Sequence, residues 1–401
     1  MLDLGNLGAD FFADPYPQYQ ALRAQAPLLA LPDGGYLVTG YELCRTIYRD
    51  TQRFSSDKQV QFEPVFGRAS PLFEHHTTSL VFNDPPLHTR VRRAIGNALS
   101  QQILVELRPS LDSVIQNLLL NLQSRSRADL IAEFAGAIPV EIIGNLLRIP
   151  AAERGPLRQW SLDILGALEV NLTPEGRAAG EQSVRDFVGY LADLIARRRK
   201  NLDAADSDIL TRLLTWQDAD GAHLTATELH HQCIFLLNAG HETTTNLIGN
   251  GIELLLRHPD SLNNLQNGNA SMATAVEEML RCESPNQLGN RTVRNDTSLA
   301  DTNLPAGTVL TLCIGAANRD PETFSAAQTF DIQRNHNPHL AFGGGVHSCA
   351  GLHVARLEAN LALTQLFQRF PNLSLAQTPQ RAQRARFRGF ERLECDLGAA
   401  A

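Results

Sequence analysis

The decisive stretch is Phe342-Gly343-Gly344-Gly345-Val346-His347-Ser348-Cys349-Ala350-Gly351. Three glycines precede the cysteine. Lacking a Cβ, they let the backbone approach a flat surface closely. The cysteine stands just before or at the start of the last helical stretch, which runs to Phe370. There the unpaired N–H groups and the helix dipole favour thiolate over thiol. A thiolate that accepts backbone hydrogen bonds is a good ligand for ferric iron, and its electron donation favours O–O cleavage. Taken alone, the string also fits a glycine-rich turn around a buried cysteine.

The rest of the 401-residue chain sets the context. A hydrophobic content of 43% and a charged content of 19% suit a globular protein with a sizeable core. The net charge of −8 speaks against general nucleic-acid binding. The opening MLDLGNLGADFFADPYPQY has no basic start followed by an apolar core, so no secretory signal is expected. No apolar run is long enough to span a membrane. Cys44, Cys233, Cys282, Cys313, Cys349 and Cys395 form no C-x-x-C pair. That argues against a disulfide framework or zinc site and for a reducing, cytoplasmic compartment. Five of the six read as small buried hydrophobes.

Periodicity is mostly helical. A short helix is expected over Tyr16 to Gln25, and strand-like runs at Gly35–Thr39, Arg291–Val293 and Thr308–Ile314. Residues 60–80 carry Pro, Gly and Ser and read as a loop region. Leu87 to about Lys200 reads as helical with breaks near Pro150 and Pro174, and 201–224 as polar and turn-rich. Thr225 and Glu228 form a T-x-x-E capping box opening a long apolar helix that stops before Pro259. A further helix is expected from about Ser271 to Cys282.

Three other segments carry chemistry. In Glu278-Met279-Leu280-Arg281, the spacing of three puts acid and base on one helix face. In Ala239-Gly240-His241-Glu242-Thr243-Thr244, a glycine interrupts the long helix at a cost of about 1 kcal/mol relative to Ala. The acid beside an alcohol there can relay protons. In Asp84-Pro85-Pro86-Leu87-His88-Thr89-Arg90-Val91-Arg92-Arg93, His88 and Arg92 sit four apart and can face one anionic group.

Together these strings resemble the signatures of the cytochrome P-450 family: F-G-G-G-x-H-x-C-x-G at Cys349, E-x-x-R 68 residues earlier, and the A-G-x-E-T segment of the long helix. Asp14-Pro-Tyr-Pro17 and Asn318-Arg-Asp-Pro321 also look like family segments. The resemblance spans nearly the whole chain and is to the soluble bacterial branch. It implies a mainly α fold, a triangular helical prism in one domain over 1–401, with a small β-rich part mainly within 25–60, 290–315 and 372–398. It implies haem b with Cys349 as the axial thiolate, and Phe342, Gly343, Gly351 and Gly240 beside the cofactor. His88, Arg92, Arg291 and His347 would bind the haem propionates. Thr243 takes the oxygen-binding role and Glu242 the proton relay. Arg334 would join Glu278 and Arg281 in a structural ion network.

The activity implied is monooxygenation: one atom of O2 enters a small or medium hydrophobic substrate, by hydroxylation or O-dealkylation. Electrons would come from NAD(P)H through a ferredoxin or flavodoxin and its reductase, since no flavin or iron–sulfur segment is present. Candidate pocket residues are Phe62, Phe66, Phe82, Leu237, Ala239, Leu288 and Phe390, and each phenylalanine is equally readable as core. Arg68, His75 and His76 are candidate anchors for a substrate carboxylate. Arg92, Arg93, Arg319 and Arg356 are candidates for a local basic docking patch. A monomer without membrane or nucleic-acid partners is expected. Two other readings stay open: a peroxide-using, rearranging or coupling haem-thiolate enzyme, and a non-enzymatic haem sensor. The Glu242-Thr243 pair weighs against both.

Overall fold

The computed structural model describes residues 3–99, 101–200 and 208–399. Contacts divide the chain into two compact units. One comprises residues 1–54, 111–138 and 243–401, and the other residues 55–110 and 139–242. Both are mostly helical, and the strands are short.

The first unit holds most of the strands. In its largest sheet, Tyr36–Val38 pairs in parallel with Val309–Cys313, which pairs antiparallel with Leu288–Val293. Leu28–Ala30 lies outside Tyr36–Val38. Alternation along the strands separates two apolar clusters. Val38, Leu310, Leu312 and Val293 join Tyr41, Cys44, Ile47, Tyr48 and Phe324. Leu37, Leu288 and Cys313 join Phe11, Tyr16, Tyr19 and Leu22. Leu288, expected as a pocket residue, belongs to a core cluster.

Helices Met272–Cys282 and Leu352–Arg369 pack in the same unit with the second half of the long helix Ala226–Arg257. Gly251 marks the approach: a Cβ there would come within 2.8 Å of Met279 Sδ and 3.0 Å of Leu363 Cδ1. The long helix starts as its capping box predicts. Thr225 N donates to Glu228 at 2.8 Å, and Glu228 N donates to the Thr225 hydroxyl at 3.2 Å.

The second unit is built from helices. Leu157–Gly166 lies along Pro174–Lys200, with Trp160 stacked on Phe187 at 5.0 Å and Ser183 donating to Asp163 at 2.7 Å. The expected loop at 60–80 is instead two helices, Gln59–Phe66 and Pro71–Thr78. Ser70 caps the second by accepting from Leu72 N, and Pro71 fills its first turn. That Ser-Pro start signal outweighs the loop-like composition.

Two other expectations change, and the start of the last helix is fixed more closely. Residues 209–215 form a helix capped by Asp208. The stretch read as helical from Leu87 contains the strand Arg127–Asp129, whose partner Glu394–Asp396 is too distant in sequence for local periodicity to reveal. The last helix begins at Leu352, three residues after Cys349.

Candidate active site

The loop carrying Cys349 is shaped by its own backbone. Cys349 N donates to Phe342 O at 2.9 Å, Gly343 N to Leu340 O at 2.8 Å, and Ser348 N to Gly345 O at 3.1 Å. Gly345 must be glycine: its φ is +66°, and a Cβ would lie 2.4 Å from Tyr48 O. The glycine run thus rests on the end of helix Tyr41–Arg49. On the same Tyr48 ring stacks the guanidinium of Arg291, at 5.0 Å. The first unit therefore brings together Cys349, Phe342, Gly343, His347 and Arg291, with Tyr48 as a bridge that the sequence reading missed.

A second missed group braces the loop. Arg356 forks to Glu277 at 2.6 and 2.7 Å and lies over the Phe342 ring at 4.7 Å. His339 reaches Glu277 at 3.2 Å. Burial pushes the Glu277 carboxyl up, but hydrogen bonds from His339 and Arg356 outweigh it and hold the group at about 2. Arg356 is thus a half-buried brace whose charge is paired with Glu277, not the unpaired cation expected for a basic docking patch. Arg319 is corrected likewise: it donates to Cys282 O at 2.7 Å and lies over the Tyr16 ring at 3.5 Å. The acidic pair Glu277-Glu278, beside the E-x-x-R spacing, was the available signal for this brace.

Below the loop, Arg281 donates to both oxygens of Glu278 at 2.8 and 2.7 Å. Arg334 Nε reaches the same carboxylate at 3.1 Å, Asn337 at 3.0 Å and Asp331 N at 2.9 Å. The remaining Arg281 donors close on Asn318, Ala327 and Thr329 carbonyls. Asn318 also accepts from Leu340 N at 2.7 Å, which links this network to the base of the Cys349 loop.

The long helix is buried from Leu236 to Leu255 except at Ala239, Gly240 and Thr243. Those three positions fall on successive turns of one face. Glu242, on a different face, is buried, and Leu237 is fully buried.

In the second unit, His88 and Arg92 stand one turn apart on helix Leu87–Ala98, with His88 buried and Arg92 half-buried. Asp84 before them accepts from the Ser55 hydroxyl and from Ser56 N, which fixes the approach to that helix. Arg90 is paired with Glu228, and Arg93 is exposed. Phe62, Phe66, Phe82 and His76 form one ring cluster with centroids 5.1–5.7 Å apart. Phe390, in the first unit, lies beneath the Arg381 guanidinium at 3.8 Å.

The three candidate carboxylate anchors lose that role. Arg68 is exposed and already forks to Glu63 at 2.7 and 2.8 Å. Burial pushes His75 well below its ordinary value and His76 down to about 3, with their histidine neighbours adding to the effect. Both rings are neutral near pH 7 and offer a carboxylate no charge.

The donor chemistry fits a haem-thiolate. Five of the six cysteines are buried, and Cys349 alone is half-exposed. Burial pushes Cys233, Cys282, Cys313 and Cys395 up to about 12 and Cys44 well up, which holds them as thiols. A Cβ at Gly351 would meet nothing within 4 Å, so the chain beside Cys349 is open as a flat ligand requires.

The family model for cytochrome P-450 matches residues 160–269 and 271–387. The cytochrome P-450 monooxygenase PikC of Streptomyces venezuelae is 36% identical over 94% of this chain and 89% of its own length. The vitamin D(3) 25-hydroxylase of Pseudonocardia autotrophica is 37% identical over 91% of this chain and 89% of its own. Among solved structures, BioI in complex with acyl carrier protein ligated to hexadec-9Z-enoic acid superposes with a TM-score of 0.91. It is 31% identical and covers 97% of this chain and 100% of that one. No helix among the described residues is long and apolar enough to cross a membrane. With its cysteine loop, its buried ion network and these relatives, the chain belongs to the cytochrome P-450 family and is a monooxygenase that works with haem b held by a cysteine thiolate.

Proposed function

We propose that this enzyme hydroxylates, or O-dealkylates, a small or medium hydrophobic substrate in the cytoplasm, as one catalytic domain, with NAD(P)H electrons delivered by a ferredoxin-type partner. The observation that carries the assignment to this chain's own residues is Cys349, the one half-exposed thiol among six. Haem bound through a thiolate supplies oxygen activation and O–O cleavage. Cys349 is the residue to hold it, with its N–H fixed on Phe342 O. His88, Arg92, Arg291 and His347 are the cations and donors for the propionates. Ala239 and Gly240 keep this turn of the long helix free of bulk, and a Cβ at Gly240 would come within 3.1 Å of Ile143 Cδ1. The buried Glu242 carboxyl and the neighbouring Thr243 hydroxyl would serve as an acid–alcohol pair able to relay protons to the open side of the cofactor.

A peroxide-using enzyme has less need of that acid–alcohol pair, so the dioxygen route is favoured. A relative named as a vitamin D(3) 25-hydroxylase and a similar structure holding an acyl-carrier-protein-ligated hexadec-9Z-enoic acid support a largely hydrophobic substrate. Product formation should be compared with NAD(P)H plus a ferredoxin and its reductase, and with hydrogen peroxide alone. Turnover driven by the redox partners supports the reading. Turnover by peroxide alone, with the partners inert, rejects it.

A further inference from the structure

The second unit contains a polar cluster that the oxygen chemistry does not use. Helix Pro71–Thr78 contributes His75 and His76, and the long helix contributes His231 and Asn238. All four are at most 3% exposed. Ring centroids lie 5.1 Å apart for His75–His76 and 5.4 Å for His75–His231. Asn238 Nδ2 is 3.5 Å from His75 Nε2. Yet His75 Nδ1, His76 Nε2, His231 Nδ1 and Asn238 Oδ1 are buried with no hydrogen-bond partner. Buried polar atoms are nearly always satisfied, so four open atoms in one cluster mark a place where a polar ligand group can bind. The cluster is not arranged as a metal site.

The donors and acceptors can be assigned from the partners present. An amide nitrogen only donates, so His75 Nε2 accepts and the ring proton sits on Nδ1. That makes the open His75 atom a donor. Glu74 faces His231 Nε2 at 3.5 Å and only accepts, so the proton is on Nε2. The open His231 Nδ1 is then an acceptor, as is Asn238 Oδ1. A carboxylate would confront these two acceptors. An ammonium would confront the His75 N–H. A hydroxyl both gives and takes one hydrogen bond and suits the set. Phe62, Phe66 and Phe82 surround His76 at 5.4, 5.6 and 5.7 Å and supply an apolar surface next to it.

We infer that His75, His231 and Asn238 read an uncharged hydroxyl on an otherwise hydrophobic substrate, whose carbon body packs on Phe62, Phe66 and Phe82. The inference rests on the monooxygenase reading above and narrows its substrate class.

The test uses the ferric holoenzyme and three probes with one carbon frame: cyclododecane, cyclododecanol and cyclododecanecarboxylate. Binding is read by the haem absorbance shift and, independently, by equilibrium dialysis. Corrected for water–octanol partition, the parent is expected to prefer cyclododecanol. His75→Phe and Asn238→Leu should each weaken cyclododecanol about tenfold, the worth of one hydrogen bond, and leave cyclododecane unchanged. Their thermal midpoints should change little, because each removes one unsatisfied polar atom while its partner loses only a single long hydrogen bond of 3.5 Å. Equal weakening of both probes with a lowered midpoint would mean a structural role and overturn the inference. No change in either variant would mean an internal water only, and would also overturn it. A parent without preference for the alcohol overturns it even where a variant fails to fold. A thiolate-type carbon monoxide spectrum in parent and variants keeps the haem-thiolate reading separate from these outcomes.

Discussion

Arg281 donates through Nε and Nη2 to the two oxygens of Glu278, and neither side chain has any solvent exposure. A desolvated pair of this kind costs little while complete and much when halved, because the survivor is a buried charge without its counterion. Glu278→Ala should therefore destabilise the holoenzyme by ~3–5 kcal/mol in chemical denaturation. Arg334 and Asn337 lose an acceptor in the same variant. An effect under about 1 kcal/mol would mean that the network is not structural.

Glu358 gives a pH prediction of the opposite sign from a salt-bridged acid. Burial pushes its carboxyl up to about 8, partly offset by a hydrogen bond with Thr244. Between about 4.5 and 8 the folded protein keeps a proton that the unfolded chain has released. Stability then falls as pH rises through that window, by at most about 5 kcal/mol. Glu358→Gln should flatten the slope and be the more stable protein at pH 8. Parallel stability–pH curves for parent and variant would contradict this.

Arg68 and Glu63 are both solvent-exposed, and such pairs are screened and contribute little. Arg68→Ala is expected to leave the thermal midpoint and the affinity for acidic ligands unchanged. A clear loss of affinity for a carboxylate ligand would restore Arg68 as an anchor.

For the proton relay, Glu242→Gln should lower product formation ~10²-fold or more, the usual worth of a positioned acid. Thr243→Ala should divert a larger share of NAD(P)H consumption into hydrogen peroxide. Both variants should keep the thiolate-type carbon monoxide spectrum. Unchanged product yield per NAD(P)H in both would remove the pair from the mechanism.

Local signals were readable where the chemistry is local. The capping box Thr225–Glu228, the helix Tyr16–Gln25 and the shared face of Glu278 and Arg281 follow from spacings of three and four. What was hidden depends on partners far along the chain. Nothing near Arg356 or Arg319 reveals that Glu277 and Cys282 O claim their charges. Nothing near His75 reveals the burial that keeps it neutral. Tyr48 became visible as the platform for the glycine run only once the turn at Gly345 was folded onto it. Leu288 was placed in the pocket by analogy, and the sheet register turns it into the core.

The central claim is that Cys349, and no other cysteine, ligates the haem iron. The direct measurement is the carbon monoxide difference spectrum of the ferrous holoenzyme for Cys349→Ser beside Cys282→Ser and Cys313→Ser. The account expects the thiolate-type band to vanish in Cys349→Ser alone and to persist in the other two. A Cys349→Ser protein that keeps the band, or a buried-cysteine variant that folds and loses it, would contradict the account.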